Sequence, residues 1–141
     1  MNDKTALIHE CQHWVQEMLR VTGLDQTWDI RTDFSRRDDF DAYASAVSVP
    51  QYRQAMLYFD FDNPRFTLWD SADGDLRRLV IHEFGHVLLS PVTKAGRAFA
   101  KQAGGKAAAS ILDDIEDDLL VSVWEHMPCW EQMQPYQPLR P

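Results

Sequence analysis

The sequence is poor in cysteine, in positive charge and in long apolar runs. Cys11 and Cys129 alone are too few for a disulfide framework, so the reducing cytoplasm is the expected location. Lysine and arginine total 14 against 22 acidic residues, and the net charge of −8 argues against a nucleic-acid-binding surface. Because no apolar run is long enough for a membrane span or a signal peptide, we expect a protein that does not associate with membranes.

The chain length favours a single domain. With 141 residues and 45% hydrophobic composition, the chain suffices for one core and is too short for two. We expect this domain to cover residues 1–127. Residues 128–141 are rich in proline and aromatic side chains and are predicted to form an extended tail.

Hydrophobic periodicity predicts an α+β fold. Residues 5–21 repeat as an amphipathic helix, for which Gly23 is a stop signal. Two later helices are predicted, one around residues 75–89 that Pro91 ends and one from 107 to about 126. Between the first helix and these two, alternation of apolar and polar residues predicts a small, mainly antiparallel sheet of three strands, at 28–34, 43–49 and 54–61.

The motif His82-Glu83-Phe84-Gly85-His86 carries the strongest chemical signal. On a helix, positions four apart share a face, so the two imidazoles can bind one tetrahedral zinc ion with Glu83 beside them as a proton acceptor. The helical stripe that contains Glu83 is otherwise apolar: Leu76, Leu79, Val80 and Val87. A buried carboxylate needs a partner. The alternative is a solvated helix whose two histidines happen to be four apart.

A second pair of histidines, His9 and His13, has the same spacing in the first helix. Both lie off its apolar stripe, although Glu10 follows His9 as Glu83 follows His82. We therefore expect solvated histidines here rather than metal ligands.

A zinc site needs a third protein ligand. The metzincin pattern is excluded, because Leu89 and Val92 occupy the positions where that class has glycine and histidine. The run 110–121 of the last helix contains five acidic residues, and the apolar stripe of this helix is Leu112, Ile115, Leu119, Leu120 and Val123. Glu116 lies near the centre of this stripe, whereas Asp113 and Asp117 lie on its edge and Asp114 and Asp118 point away. We predict Glu116 as the third ligand; the alternative is that it caps or pairs with another group.

These residues resemble the gluzincin branch of the zinc metallopeptidases, in its compact minigluzincin form. Members carry H-E-x-x-H on one helix and a glutamate ligand on a following helix, here His82, His86 and Glu116, and the match covers about Gln54 to Val123. The resemblance implies a zincin-like fold and a peptide substrate that pairs with a strand edge, at 54–61 or a neighbouring strand. Larger gluzincins often place an aspartate four residues after the glutamate, where this chain has Leu120.

The predicted activity is zinc-dependent hydrolysis of peptide bonds. Zinc lowers the pKa of its bound water, and Glu83 takes the proton as the water attacks the carbonyl. A second oxyanion donor is expected from one of four residues: Tyr43, Tyr58, His126 or Tyr136. The alternative function is that of an acidic, non-catalytic protein of the same fold that binds a partner, with zinc structural or absent.

Overall fold

The computed structural model describes residues 4–36, 42–63, 66, 75–103 and 105–138. The elements in chain order are α1 (Lys4–Thr22), β1 (Asp29–Asp33), β2 (Ala44–Val49), β3 (Gln54–Phe59), α2 (Asp75–Ala103) and α3 (Gly105–Ser122). This arrangement confirms the α+β class. Within the described part of the chain, none of the helices has both the length and the apolar character needed to cross a membrane.

The three strands form one mixed sheet in the order β1-β3-β2. The central strand β3 pairs antiparallel with β2 and parallel with β1. The prediction of a mainly antiparallel sheet therefore holds for one of the two pairings. A tight 3-10 turn at Pro50–Tyr52 returns the chain from β2 into β3, as antiparallel neighbours allow. Since β3 is central, the edge strands are β1 and β2, not the segment 54–61, and β2 is the edge strand that packs against α2.

The N-terminal helix and the core agree with the predicted pattern. Helix α1 ends at Gly23, whose φ of 70° is left-handed and whose N–H donates to Leu19 O at 2.9 Å. The largest fully buried side chains come from all layers of the fold: Met18, Leu57, Phe59, Val80, Phe84, Val87 and Leu120. The core therefore lies between α1, the sheet and the first half of α2.

Helix α2 does not end at Pro91, so that boundary was predicted wrongly. Proline lacks an N–H, which leaves the carbonyl of Val87 without its helical partner. The buried Ser90 hydroxyl donates to Val87 O at 2.7 Å and satisfies that carbonyl. The helix therefore continues through the proline to Ala103.

Helix α3 buries a narrower face than predicted. Ala109, Glu116 and Leu120 are buried against α2. Among the remaining members of the predicted stripe, Leu112 is half-buried, and Ile115, Leu119 and Val123 are exposed. The periodicity placed Glu116 and Leu120 correctly, but the packed face is rotated away from the rest of the stripe.

Residues 128–138 pack against α1. A 3-10 turn at Pro128–Gln132 buries Trp130, and extended backbone follows. His9 Nδ1 lies 2.8 Å from Tyr136 Oη, and His13 Nε2 lies 2.9 Å from the carbonyl of Gln134. The two histidines expected to be solvated therefore bind this segment instead. Residues 139–141 of the predicted tail lie outside the described residues.

Candidate metal centre

Residues of β2, α2 and α3 line two neighbouring pockets. The wider one, called the His82 pocket, has a volume of about 440 Å³ and is lined by Tyr43, Ala44, Leu79, His82, Val121 and Glu125, among others. The narrower one, called the His86 pocket, has a volume of about 220 Å³ and includes Ser48, His86, Ser90, Lys94, Arg97 and Glu116 in its lining. Both histidines of the motif thus face a groove between β2 and α3, with α2 as its floor.

The two imidazoles converge through their Nε2 atoms. These atoms lie 3.2 Å apart, and the rings meet nearly edge to face at 81°. Nδ1 of His82 lies 2.9 Å from Glu125 Oε1, and Nδ1 of His86 lies 2.9 Å from Glu116 Oε1. A carboxylate accepts hydrogen bonds, so each Nδ1 carries the proton and each neutral Nε2 presents a lone pair. Two facing lone pairs repel each other unless a proton or a metal cation lies between them.

A layer of paired carboxylates backs these histidines. The Glu125 side chain is 6% exposed, and its Oε2 lies 3.1 Å from an Arg78 nitrogen. The Glu116 side chain is 4% exposed, and its Oε2 pairs with Arg97. We call Glu116 and Glu125 the backing carboxylates. Each links one imidazole to one arginine of α2, which fixes the orientation of both rings.

Glu83 is buried without such pairing. The residue is 5% exposed, and its Oε2 has no hydrogen-bond partner among the described residues. Burial raises the pKa of Glu83 to about 7, and the nearby His86 opposes part of this shift. A carboxylate in this state exchanges its proton near neutral pH.

The aspartate after Glu116 approaches the histidine pair. His82, His86 and Asp117 form a group whose potential ligand atoms all lie within 4.8 Å of one another. Asp117 is exposed, so its side chain can adjust toward a bound ion. Both oxygens of Glu116 are already engaged by His86 and Arg97. The role of Glu116 as a metal ligand remains a prediction.

Gly85 allows α3 and the turn after it to approach the motif closely. A Cβ at Gly85 would overlap the Leu120 side chain and lie 2.7 Å from Cδ1 of Trp124. The Trp124 indole donates to the carbonyl of Ile81 at 2.6 Å. This close approach places the following residue, Glu125, beside His82.

The structure separates the four candidates for an oxyanion donor. Tyr43 and Glu83 both line the His82 pocket. Tyr136 instead lies beside His9. Neither Tyr58 nor His126 is among the residues that line the two pockets. The sequence pattern did not identify Glu125, because it lies in a 3-10 turn beyond the end of α3, where helical spacing carries no information.

The histidine pair fits a tetrahedral zinc ion. Two imidazole nitrogens bound at ordinary zinc distances would lie about 3.3 Å apart, close to the 3.2 Å found here. Two imidazoles and a carboxylate are also ligand types that zinc accepts. Comparison of the chain with protein-family models, with curated proteins and with solved structures finds no match, so the gluzincin resemblance rests on the motif.

Proposed function

We propose that this protein is a zinc-dependent peptidase in which His82 and His86 hold the metal and Glu83 is the general base. The observation that carries the proposal is the approach of the two Nε2 atoms to 3.2 Å while both Nδ1 atoms face buried carboxylates. A hydrogen bond between these Nε2 atoms would need an additional proton on one ring, whereas a divalent cation satisfies both lone pairs. The zincin-like fold is part of the same proposal.

We infer that Asp117 is the third ligand and that Glu116 acts through His86. Glu116 is held by two partners, and moving it to the metal would leave Arg97 without a buried partner. Asp117 has no such constraint and already belongs to the group around His82 and His86. The competing ligand set is the one predicted from the sequence, His82, His86 and Glu116.

The protein residues have distinct roles in the proposed reaction. A bound zinc ion supplies Lewis acidity, which makes water acidic and polarises the substrate carbonyl. Glu83 Oε2 accepts a proton from the attacking water and returns it to the leaving amine, a task for which a pKa of about 7 is suited. Tyr43, at the wall of the His82 pocket, is the proposed donor to the oxyanion.

One observation favours the alternative function of partner binding. Ile111, Ile115 and Leu119 expose apolar surface along one side of α3, in a chain of net charge −8. This surface does not include the proposed ligand Asp117. A non-catalytic role needs no buried general base, and Glu83 therefore supports the peptidase proposal more strongly.

The decisive experiment measures zinc per chain by elemental analysis after incubation with zinc and removal of excess metal. We expect one zinc in the unmodified protein, none in His82→Ala, and a strong loss in Asp117→Ala. Asp114→Ala, an exposed change on the same helix, is the matched control. Loss with Glu116→Ala and retention with Asp117→Ala would restore the sequence-based ligand set. No zinc in the unmodified protein would overturn the peptidase proposal.

A further inference from the structure

We propose that the His86 pocket binds a carboxylate of the substrate through Lys94. The inference rests on the proposed peptidase function, because it concerns the substrate that lies across the same groove. It adds a substrate class: peptides that carry a carboxylate close to the scissile bond, on the His86 side of the metal.

The groove is closed beyond the His86 pocket. The Lys94 ammonium donates to the main-chain carbonyl of Ser48 on the edge strand β2. On the opposite wall, Arg97 reaches across to Asp113 and Glu116 of α3. A peptide that adds to the edge of β2 therefore meets a capped carbonyl at Ser48, and the open part of the edge is nearer to Ala44.

Lys94 is the cation in this pocket whose charge has no acidic partner among the described residues. An ammonium has three donor hydrogens, and the Ser48 carbonyl that accepts one of them is neutral. Arg97, in contrast, pairs with two carboxylates. The lining of the pocket thus contains two cations, Lys94 and Arg97, and one anion, Glu116. Lys94 is exposed, so water solvates its charge in the free protein, and an anionic group of the substrate would replace part of that water.

The His82 pocket has the opposite character. Its walls include the apolar side chains of Leu79 and Val121, and Arg78 and Glu125, its charged groups besides the proposed base Glu83, pair with each other. Apolar side chains are therefore favoured on that side of the histidine pair. The polarity of the groove orients a peptide, with an apolar residue in the His82 pocket and a carboxylate in the His86 pocket.

Two groups of a peptide can supply this carboxylate, its C-terminus or an Asp or Glu side chain. Three probes distinguish them: N-acetyl-Leu-Ala-Ala as the free acid, the same peptide as the C-terminal amide, and N-acetyl-Leu-Ala-Glu amide. Their binding is measured by calorimetry on the Glu83→Gln protein, with and without zinc, so that turnover does not interfere. Lys94→Met is compared in the same background with Lys101→Met, a lysine of α2 that is exposed like Lys94 but does not line the pocket.

We expect the free acid or the glutamate amide to bind about tenfold more tightly than the neutral amide, as one charge-assisted hydrogen bond provides. Lys94→Met should remove this preference, and Lys101→Met should keep it. Equal affinity for all three probes, or absence of binding by all three, overturns the inference. A preference that survives Lys94→Met also overturns it, because the carboxylate then binds elsewhere, for instance to the metal. Failure to bind zinc is seen in the same titrations and bears on the peptidase proposal alone.

Discussion

The carboxylate on the floor of the groove and the backing carboxylates are buried to the same degree, but their hydrogen-bond partners differ. Glu83, on the floor, is as buried as Glu116 in the backing layer. Glu116 contacts an imidazole and an arginine, and Glu125 repeats this arrangement at the other histidine. Glu83 Oε2 has no partner within the described chain. Equal burial therefore gives two different electrostatic outcomes.

The difference separates a positioning group from a proton carrier. A buried carboxylate with two donors is held in one place, and removing its arginine leaves an uncompensated charge. A buried carboxylate without donors holds its proton more tightly, because burial disfavours the charged form. The pKa of Glu83, raised to about 7, follows from this second situation. The comparison can be tested at each carboxylate in turn.

The largest expected effect is on turnover. Glu83→Gln should lower peptide hydrolysis by the zinc-loaded protein about 10³-fold, because the amide cannot accept the proton. Zinc content should be unchanged, since Glu83 is not a proposed ligand. Glu131→Gln, an exposed change in the segment after α3, is the control and should have no effect. Full activity of Glu83→Gln would show that the buried acid is not the base.

The next effect is on stability as a function of pH. In the metal-free folded protein the pKa of Glu83 is about 7, against 4.5 as the unperturbed value. The folded state binds this proton more tightly, so the associated stability is complete below about pH 4.5 and is lost as pH rises through 7. The loss is about 3 kcal/mol in the free energy of unfolding.

Urea unfolding in the presence of a chelator, at pH 5 and at pH 8, measures this loss. Glu83→Gln should lack it, so the stability of the variant relative to the unmodified protein should increase by about 2.5 kcal/mol between the two pH values, because a small part of the loss has already occurred at pH 5. A constant difference would mean that Glu83 is solvated or paired in solution. In that case its contrast with Glu116 would disappear.

The sequence predicted which positions of α2 are buried, but it did not predict which side chains of other elements contact them. Leu76, Val80 and Val87 place Glu83 on a buried face through helical period alone, and the structure agrees. The partner of His82 depends on a 3-10 turn that folds back onto α2, so no spacing indicates Glu125. The continuation through Pro91 involves a local contact, from the Ser90 hydroxyl to the carbonyl of Val87, that the hydrophobic pattern does not report. Local periodicity reports burial but not the identity of the partner.

A smaller effect should follow from weakening the backing layer. Glu125→Gln keeps the shape of the side chain but removes the charge that orients His82 and pairs with Arg78. Such supporting carboxylates typically contribute 10- to 100-fold to metal affinity, so zinc should bind roughly 10- to 100-fold more weakly. Competition with a chromogenic chelator measures the affinity. If Glu125→Gln binds zinc as tightly as the exposed control Glu131→Gln, the backing layer does not position the histidines.

The smallest effect concerns the contact that brings floor and backing layer together. Gly85→Ala adds a methyl group that overlaps Leu120 and crowds Trp124, which costs about 2 kcal/mol in overpacking. Replacing glycine by alanine inside a helix stabilises the helix by about 1 kcal/mol, so the net loss in unfolding free energy should be about 1 kcal/mol.

Gly96→Ala is the matched control on the same helix. There the new methyl group would lie 3.3 Å from Leu112 Cδ1, a contact that a small shift relieves, so this variant should be as stable as the unmodified protein or more stable. Of these two variants, only Gly85→Ala should bind zinc more weakly, because displacing Trp124 also displaces Glu125 from His82. Equal zinc affinity in the two variants would show that this close approach does not control the metal centre.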